Sequence, residues 1–299
     1  MSARRIAVTG ASGLIGRALV PALHAQGWHV VTVGRGAGSE VRWNPAAGTI
    51  DARGLDGVEA VVHLAGEPIA VRWSDARRRA IRSSRDAGTQ LIARTLAGFA
   101  ERPRVLVSAS AVGFYGDGGD AWLDEGHASG GDFLAAVCVA WERAADAARD
   151  AGIRVVHPRI GIVLAADGGA LGKLVPLFRF ALGGPVGGGR QWMSWITRTD
   201  LVRVLLLMLD NGALTGAVNA VSPQPVTNAE FAQTLGRVLH RPARIPVPAV
   251  VLRAAFGDMA RQTLLASQRV RPARLADAGF HWDHPALDGA LRAVLRGGA

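Results

Sequence analysis

The 299-residue sequence predicts an α/β fold, a doubly wound parallel sheet that carries a smaller, mainly helical C-terminal lobe. Short β-branched apolar runs alternate with helical periodicity through the first half of the chain. The first such run opens into a glycine-punctuated turn and then a helix. The last third reads as helices separated by proline and glycine.

Arg5 to Thr9 is the first buried strand, and Leu14, Ala18, Leu19 and Leu23 recur at helical spacing until Gly27. Between them lies Thr9-Gly10-Ala11-Ser12-Gly13-Leu14-Ile15-Gly16. In a Rossmann unit Gly10 permits the tight turn, Gly13 lets backbone approach a pyrophosphate, and Gly16 lets helix and strand pack closely. Ser12, Leu14 and Ile15 complete the stretch whose N–H groups face the phosphates. The second strand, His29 to Val33, ends in Gly34-Arg35, where such a unit inspects the adenosine ribose. An acid there would repel a 2′-phosphate and an arginine would pair with it, so Arg35 points to NADP(H).

Ala60 to Gly66 is a third strand closing in small residues, and Leu64, Ala65 and Gly66 put bare backbone at the ligand-binding edge of the sheet. Glu67 and Trp73 follow beside that edge as substrate candidates, with core capping the alternative for Trp73. A helix from Ser74 carries Arg85 back toward the same edge. Arg104 to Ser108 is the fourth strand, leading to Ser110 and to Tyr115, the only tyrosine of the chain. These two hydroxyls are the candidate proton donors. Gly152 to Val163 supplies the next strand, in which His157 reads as a packed residue. The glycine-rich stretch from Asp167 to Gly189, with an apolar patch at Pro176 to Phe178, predicts a mobile lobe or lid. Trp192 and Trp195 either line a small-molecule pocket or pack in the core. Thr227 to Glu230 has capping-box spacing and starts a helix; Pro242, Pro246 and Pro248 form a stiff linker. Further helices are expected from Leu252 to Leu265 and from Leu287 to Leu295.

Composition narrows the function classes. Hydrophobic residues make up 49% and charged residues 19%, which excludes a disordered chain. No apolar run reaches the ~20 residues of a membrane span, and the first strand leaves no room for a signal peptide. A single cysteine, Cys138, agrees with a reducing, cytoplasmic setting. The net charge of +10 is spread along the chain, which argues against nucleic acid as a partner. The histidines show no metal-ligand spacing, so no metal is expected.

The glycine turn, His63-Leu64-Ala65-Gly66 and the Ser108 to Gly116 segment resemble the extended short-chain dehydrogenases, a group that includes nucleotide-sugar epimerases and dehydratases. Gly66-Glu67-Pro68-Ile69, Arg72-Trp73, Trp141-Glu142, Trp192 to Ile196 and Thr227 to Phe231 look more narrowly like an atypical epimerase-family branch with a C-terminal domain of unknown function. The resemblance implies a nicotinamide cofactor, with Gly34, Arg35, Leu64, Ala65 and Arg85 at cofactor-contacting positions and Val163 near the nicotinamide. One departure stands out. The group usually carries a tyrosine four residues before a lysine, and a glutamate four residues beyond the lysine. With Glu142 as that glutamate, Leu134 and Cys138 occupy the other two places, and the usual acid/base pair is absent.

The expected organisation is an NADP(H)-binding domain over 1–163 with a returning segment at 199–221, and a substrate lobe from 164–198 and 222–299. The leading function is an atypical oxidoreductase or epimerase-like enzyme acting on an unknown small molecule. The alternative is a non-catalytic NADP(H)-binding protein that senses redox state.

Overall fold

A computed structural model describes residues 4–296; Met1 to Ala3 of the expected first domain, and residues 297–299, lie outside it. β1 (Arg5–Thr9) passes through the glycine turn into α1 (Gly16–Ala25), followed by β2 (His29–Gly34), β3 (Val41–Asn44), β4 (Thr49–Ile50) and β5 (Ala60–His63). The long helix α2 (Asp75–Ala97) leads to β6 (Val105–Ser108), β7 (Ser110–Ala111) and β8 (Trp122–Leu123). Then come α3 (Phe133–Arg143), α4 (Asp146–Asp150), β9 (Arg154–Ile160), β10 (Ile162–Ala165) and α5 (Gly169–Arg179). β11 (Trp192–Met193), β12 (Trp195–Thr197), α6 (Arg198–Asp210), β13 (Gly216–Ala220) and β14 (Val226–Thr227) follow. The chain closes with α7 (Asn228–Val238), α8 (Ala249–Phe256), β15 (Arg269–Val270), α9 (Ala273–Asp277) and α10 (Leu287–Arg296).

The large sheet runs in the order β13-β9-β6-β5-β1-β2-β3-β4, with β7 added beside β9. Its pairings are parallel except at the β3–β4 edge. From β1 the chain builds outward through β2 and β3, then crosses to β5 on the other side of β1. The strand order therefore reverses between β1 and β5, and the crevice at their carboxyl ends is where such sheets bind ligands.

Side-chain alternation along each strand supplies two cores. Ile6, Val8, Val62 and Val107 face α1 and α6, where Leu19, Leu23, Leu201, Leu205 and Met208 are buried. Ala7, Val61 and Leu106 face α2 and α4, where Ile92, Leu96, Ala145 and Ala148 meet them. Each fully buried leucine or isoleucine contributes roughly 1.5–3 kcal/mol relative to exposure, so both faces are held independently.

Two expectations are corrected. The strand expected to run through Val163 is broken at Gly161, where a Cβ would lie 2.7 Å from the Ser194 carbonyl oxygen; β10 leaves the large sheet there to pair with β12. Within the glycine-rich stretch after Asp167 lies the helix α5, with Leu171, Val175 and Phe178 buried. The expected Leu252 to Leu265 helix stops at Phe256, because Gly257 takes a positive φ of 59°, and the chain resumes as a π-helical turn over Ala260–Leu264. The capping box at α7 is present as expected: the Thr227 and Glu230 side chains reciprocally bond each other's backbone N–H. C-terminal segments also return to the large domain, since β15 pairs with β8 and Arg274 donates to the carbonyls of Thr215 and Ala217.

Candidate functional site

Two constellations occupy the carboxyl edge of the sheet. At the first, the main chain turns at Gly10 with φ of 68°, and the Gly13 N–H bonds back to the Gly10 carbonyl. A Cβ on Gly10 would lie 3.0 Å from the Ala65 nitrogen, so the turn sits directly on the Leu64–Ala65 peptide. A Cβ on Gly16 would strike the Gly10 carbonyl and come within 2.6 Å of Ala11, so only glycine lets α1 start this close to β1. Ser12 and Gly13 are exposed, and Leu14 and Ile15 half-buried.

Helices α2, α3, α6 and α7 are capped by Ser74, Asp132, Thr197 and Thr227. α1, with Ile15 at its N-cap, has no side-chain cap and no acid in its first turn, as is also true of α5, α8 and α9. In α1 the Arg17 and Ala18 N–H groups already bond the Gly13 and Ile15 carbonyls, so the Leu14, Ile15 and Gly16 N–H groups, with no partner among the described residues, and the positive end of the dipole are what face an anion.

Around this turn, Gly34 ends β2 and packs on the Ser39 hydroxyl, while the Arg35 side chain is 76% exposed. Arg35 lies 3.8 Å from Glu67, which also meets Arg77 at 3.4 Å. A half-buried carboxylate shared with a second arginine holds the 76% exposed Arg35 weakly, since ion pairs at the surface contribute about 0–1 kcal/mol. Arg85 donates to the carbonyls of Glu67 and Ile81 and lies 4.8 Å from the Trp141 ring centre. Gly66 leaves room for it, a Cβ there falling 3.3 Å from the guanidinium carbon. Arg85 thus shapes the Gly66–Glu67 loop, and burial lowers its pKa. Val163 packs with the α1 side of the core, and the Gly168–Gly169 turn after β10 rests on Leu14.

The second constellation is a closed polar network. The Ser110 hydroxyl donates to Glu142 Oε1 at 2.7 Å. Glu142 takes both Nε and Nη2 of Arg159 at 2.9 and 3.0 Å, and Arg159 Nη1 donates to the Tyr115 hydroxyl at 3.1 Å. The Tyr115 hydroxyl in turn donates to Asn219 Oδ1 at 2.8 Å. The Arg159 guanidinium carbon lies over the Phe114 ring, 3.4 Å from its centre. Burial works against the Arg159 charge and the Glu142 carboxylate more than offsets it, leaving its pKa above the ordinary arginine value. Burial likewise raises the Tyr115 phenol, the Arg159 charge only partly opposing it. Cys138, beneath this network, is buried and its thiol is pushed up to about 12, chiefly by desolvation and then by Glu142.

The candidate proton donors Ser110 and Tyr115 both lie buried in this network, where Ser110 donates to Glu142, Tyr115 donates to Asn219, and Arg159 donates to the Tyr115 hydroxyl. Trp195 is fully buried and bonds the Gln224 carbonyl, so it packs in the core rather than lining a pocket. Trp73 is also buried, donating to Ile69 and packing edge-on to Phe133. Trp192 is partly open, its indole N–H held by Asp120 and its face covered by Arg269 at 4.0 Å. Four residues of the site, Thr9, His63, Arg159 and Asn219, carried no assignment from sequence. Arg159 had a signal, a charge near the buried carboxyl end of a central strand, which burial permits only with a partner.

The family model for the NAD dependent epimerase/dehydratase family matches residues 6–220. The chain belongs to this family. A second model, a domain of unknown function (DUF1731), matches residues 247–294. Among curated relatives, an epimerase family protein of Mycobacterium tuberculosis is 43% identical over 290 residues, covering 96% of both chains. The human epimerase family protein SDR39U1 is 37% identical over 296 residues, covering 97% of this chain and 99% of that protein. The crystal structure of human SDR39U1 (isoform 2) with NADPH superposes with a TM-score of 0.90 at 35% identity, covering 98% and 99% of the two chains. All the curated relatives cited carry the epimerase family name without a stated reaction.

Proposed function

We propose that the protein binds NADPH in the crevice between β1 and β5 and uses it in an oxidoreductase or epimerase-like reaction on a small molecule. The uncapped, glycine-built start of α1 carries this reading, because its backbone donors fit a pyrophosphate and no side chain of the protein competes for them. Arg35, exposed and loosely held at the end of β2, fits the 2′-phosphate that distinguishes NADPH from NADH. The NADPH-bound human relative supports the same choice.

The cofactor supplies a hydride in this chemistry. The chain's own residues bind and orient: α1 holds phosphate, Arg35 selects it, and Arg85 shapes the loop at Gly66. Ser110 and Tyr115 keep their protons within the Glu142–Arg159–Asn219 network, so a proton needed at substrate comes from water or from the substrate itself. That same network favours a second reading, in which the protein binds NADPH and reports redox state without turnover.

Fluorescence titration with NADPH and NADH tests the binding. The expected preference for NADPH is about 10- to 100-fold, the scale of a charged hydrogen-bonded pair, and Arg35→Glu should abolish it. Equal affinity of the native protein for both nucleotides would refute the assignment. NADPH oxidation across a panel of carbonyl compounds then separates the two readings, turnover with any of them removing the second.

A further inference from the structure

Thr9 and His63 end adjacent parallel strands in direct register, and both are fully buried at the point where the strand order reverses. The Thr9 hydroxyl oxygen accepts from the Leu64 N–H at 3.0 Å and from the Ala65 N–H at 3.1 Å. Its two lone pairs are then occupied, and its one proton has to be donated. The remaining neighbour is His63 Nδ1 at 2.7 Å. His63 Nδ1 is therefore the acceptor, which places the imidazole proton on Nε2.

We propose that His63 is a positioning residue for the dinucleotide: as the neutral Nε2–H tautomer it takes the Thr9 proton, and so turns the Thr9 oxygen onto the β5 turn. Thr9 and His63 thereby bolt Leu64 and Ala65 against the Gly10 turn, which packs directly on them at the edge of the crevice. The inference rests on the NADPH-binding reading and adds a residue that touches no ligand. A charged His63 could not fill the role, because a proton on Nδ1 would oppose the Thr9 proton. Burial agrees, holding the imidazole down to about 4, neutral through the physiological range. The space is also fitted to the ring: Trp43 stands perpendicular at 5.7 Å, and Gly88 keeps α2 clear of it. The Nε2–H meets no protein acceptor among the described residues, so one nitrogen of His63 carries the role and the other does not.

That asymmetry gives the test. In His63→Asn the side-chain oxygen can stand where Nδ1 stood, whereas His63→Leu fills space and accepts nothing. NADPH titration of the native protein and both variants should show His63→Leu about tenfold weaker and His63→Asn within about threefold of native, the loss expected for one hydrogen bond. Asparagine binding as poorly as leucine, or leucine binding like the native protein, overturns the proposal. ¹⁵N-resolved NMR of the native protein reads the tautomer without any variant having to fold: a proton on Nε2 is expected, and one on Nδ1 overturns the proposal. A native protein that shows the Nε2–H tautomer but ignores NADPH would sink the proposed function, and with it the positioning role, while leaving the hydrogen-bond assignment standing.

Discussion

The two constellations at the carboxyl edge of the sheet differ in what they leave unmet. At the Gly10–Gly16 turn the backbone donors of α1 have no side-chain cap, and Arg35 is exposed. Beside it, across β6 and β9, the hydroxyls of Ser110 and Tyr115 are committed to Glu142 and Asn219, with Arg159 bridging the two halves. The first end is open to a ligand and the second is closed upon itself. A protein shaped this way is pre-organised to hold an anion, while its only tyrosine is withheld from solvent.

Breaking the closed end should produce the largest effect. Glu142→Ala leaves the Arg159 guanidinium buried without a counter-charge, and removing one partner of such a pair costs about 3–5 kcal/mol. Chemical denaturation of variant and native protein measures it. A loss below about 1 kcal/mol would mean that water reaches Arg159 and that the network is not closed.

Damage to the open end is expected to be smaller in stability and larger in binding. Gly16→Val places a side chain against the Gly10 carbonyl and Ala11, and overpacking of this kind costs about 1–3 kcal/mol. Relief requires the turn to move off α1, so NADPH affinity should fall even in the fraction that stays folded. Thermal melts with and without NADPH give both quantities: native protein should gain stability from the nucleotide and the variant should not. A variant still stabilised by NADPH would show that the turn does not hold it.

How much of each end was legible in sequence follows from how local its causes are. The open end is built within one continuous turn, so Gly10, Gly13 and Gly16 announce it, and Arg35 follows at the next strand end. The strands β1, β2, β5 and β6 were readable for the same reason, as short apolar runs. The closed end joins Ser110, Glu142, Arg159 and Asn219, which are far apart in the chain and meet only after β9 and β13 pair. Sequence could name Ser110 and Tyr115 but could not show where their protons go. Gly161 has the same character, since its need for a bare Cα comes from Ser194, which only the fold brings near. α5 escaped notice because Gly172 and Pro176 lower helix propensity, and packing of Leu171, Val175 and Phe178 overrides it.

The mildest test reads the closed end without mutation. Tyr115 is the only tyrosine in the chain, so the phenolate absorbance of the folded protein reports this residue alone. An unfolded tyrosine ionises near pH 10. Burial raises the folded value above that, against a smaller pull from Arg159, and ionisation would also break the bond donated to Asn219. The sign follows from the raised value: the stability contributed by neutral Tyr115 is fully present below pH ~10 and is lost as pH rises through the folded pKa. At pH ~10 the folded protein should therefore show less phenolate than unfolded tyrosine, and its unfolding free energy should fall as pH rises from there. Tyr115→Phe should remove that alkaline fall while lowering stability at neutral pH by about 1 kcal/mol, the net value of a buried hydrogen bond. Ionisation at or below pH ~10 would instead place the Tyr115 phenol within reach of solvent and return it to the list of groups able to give a proton to a substrate.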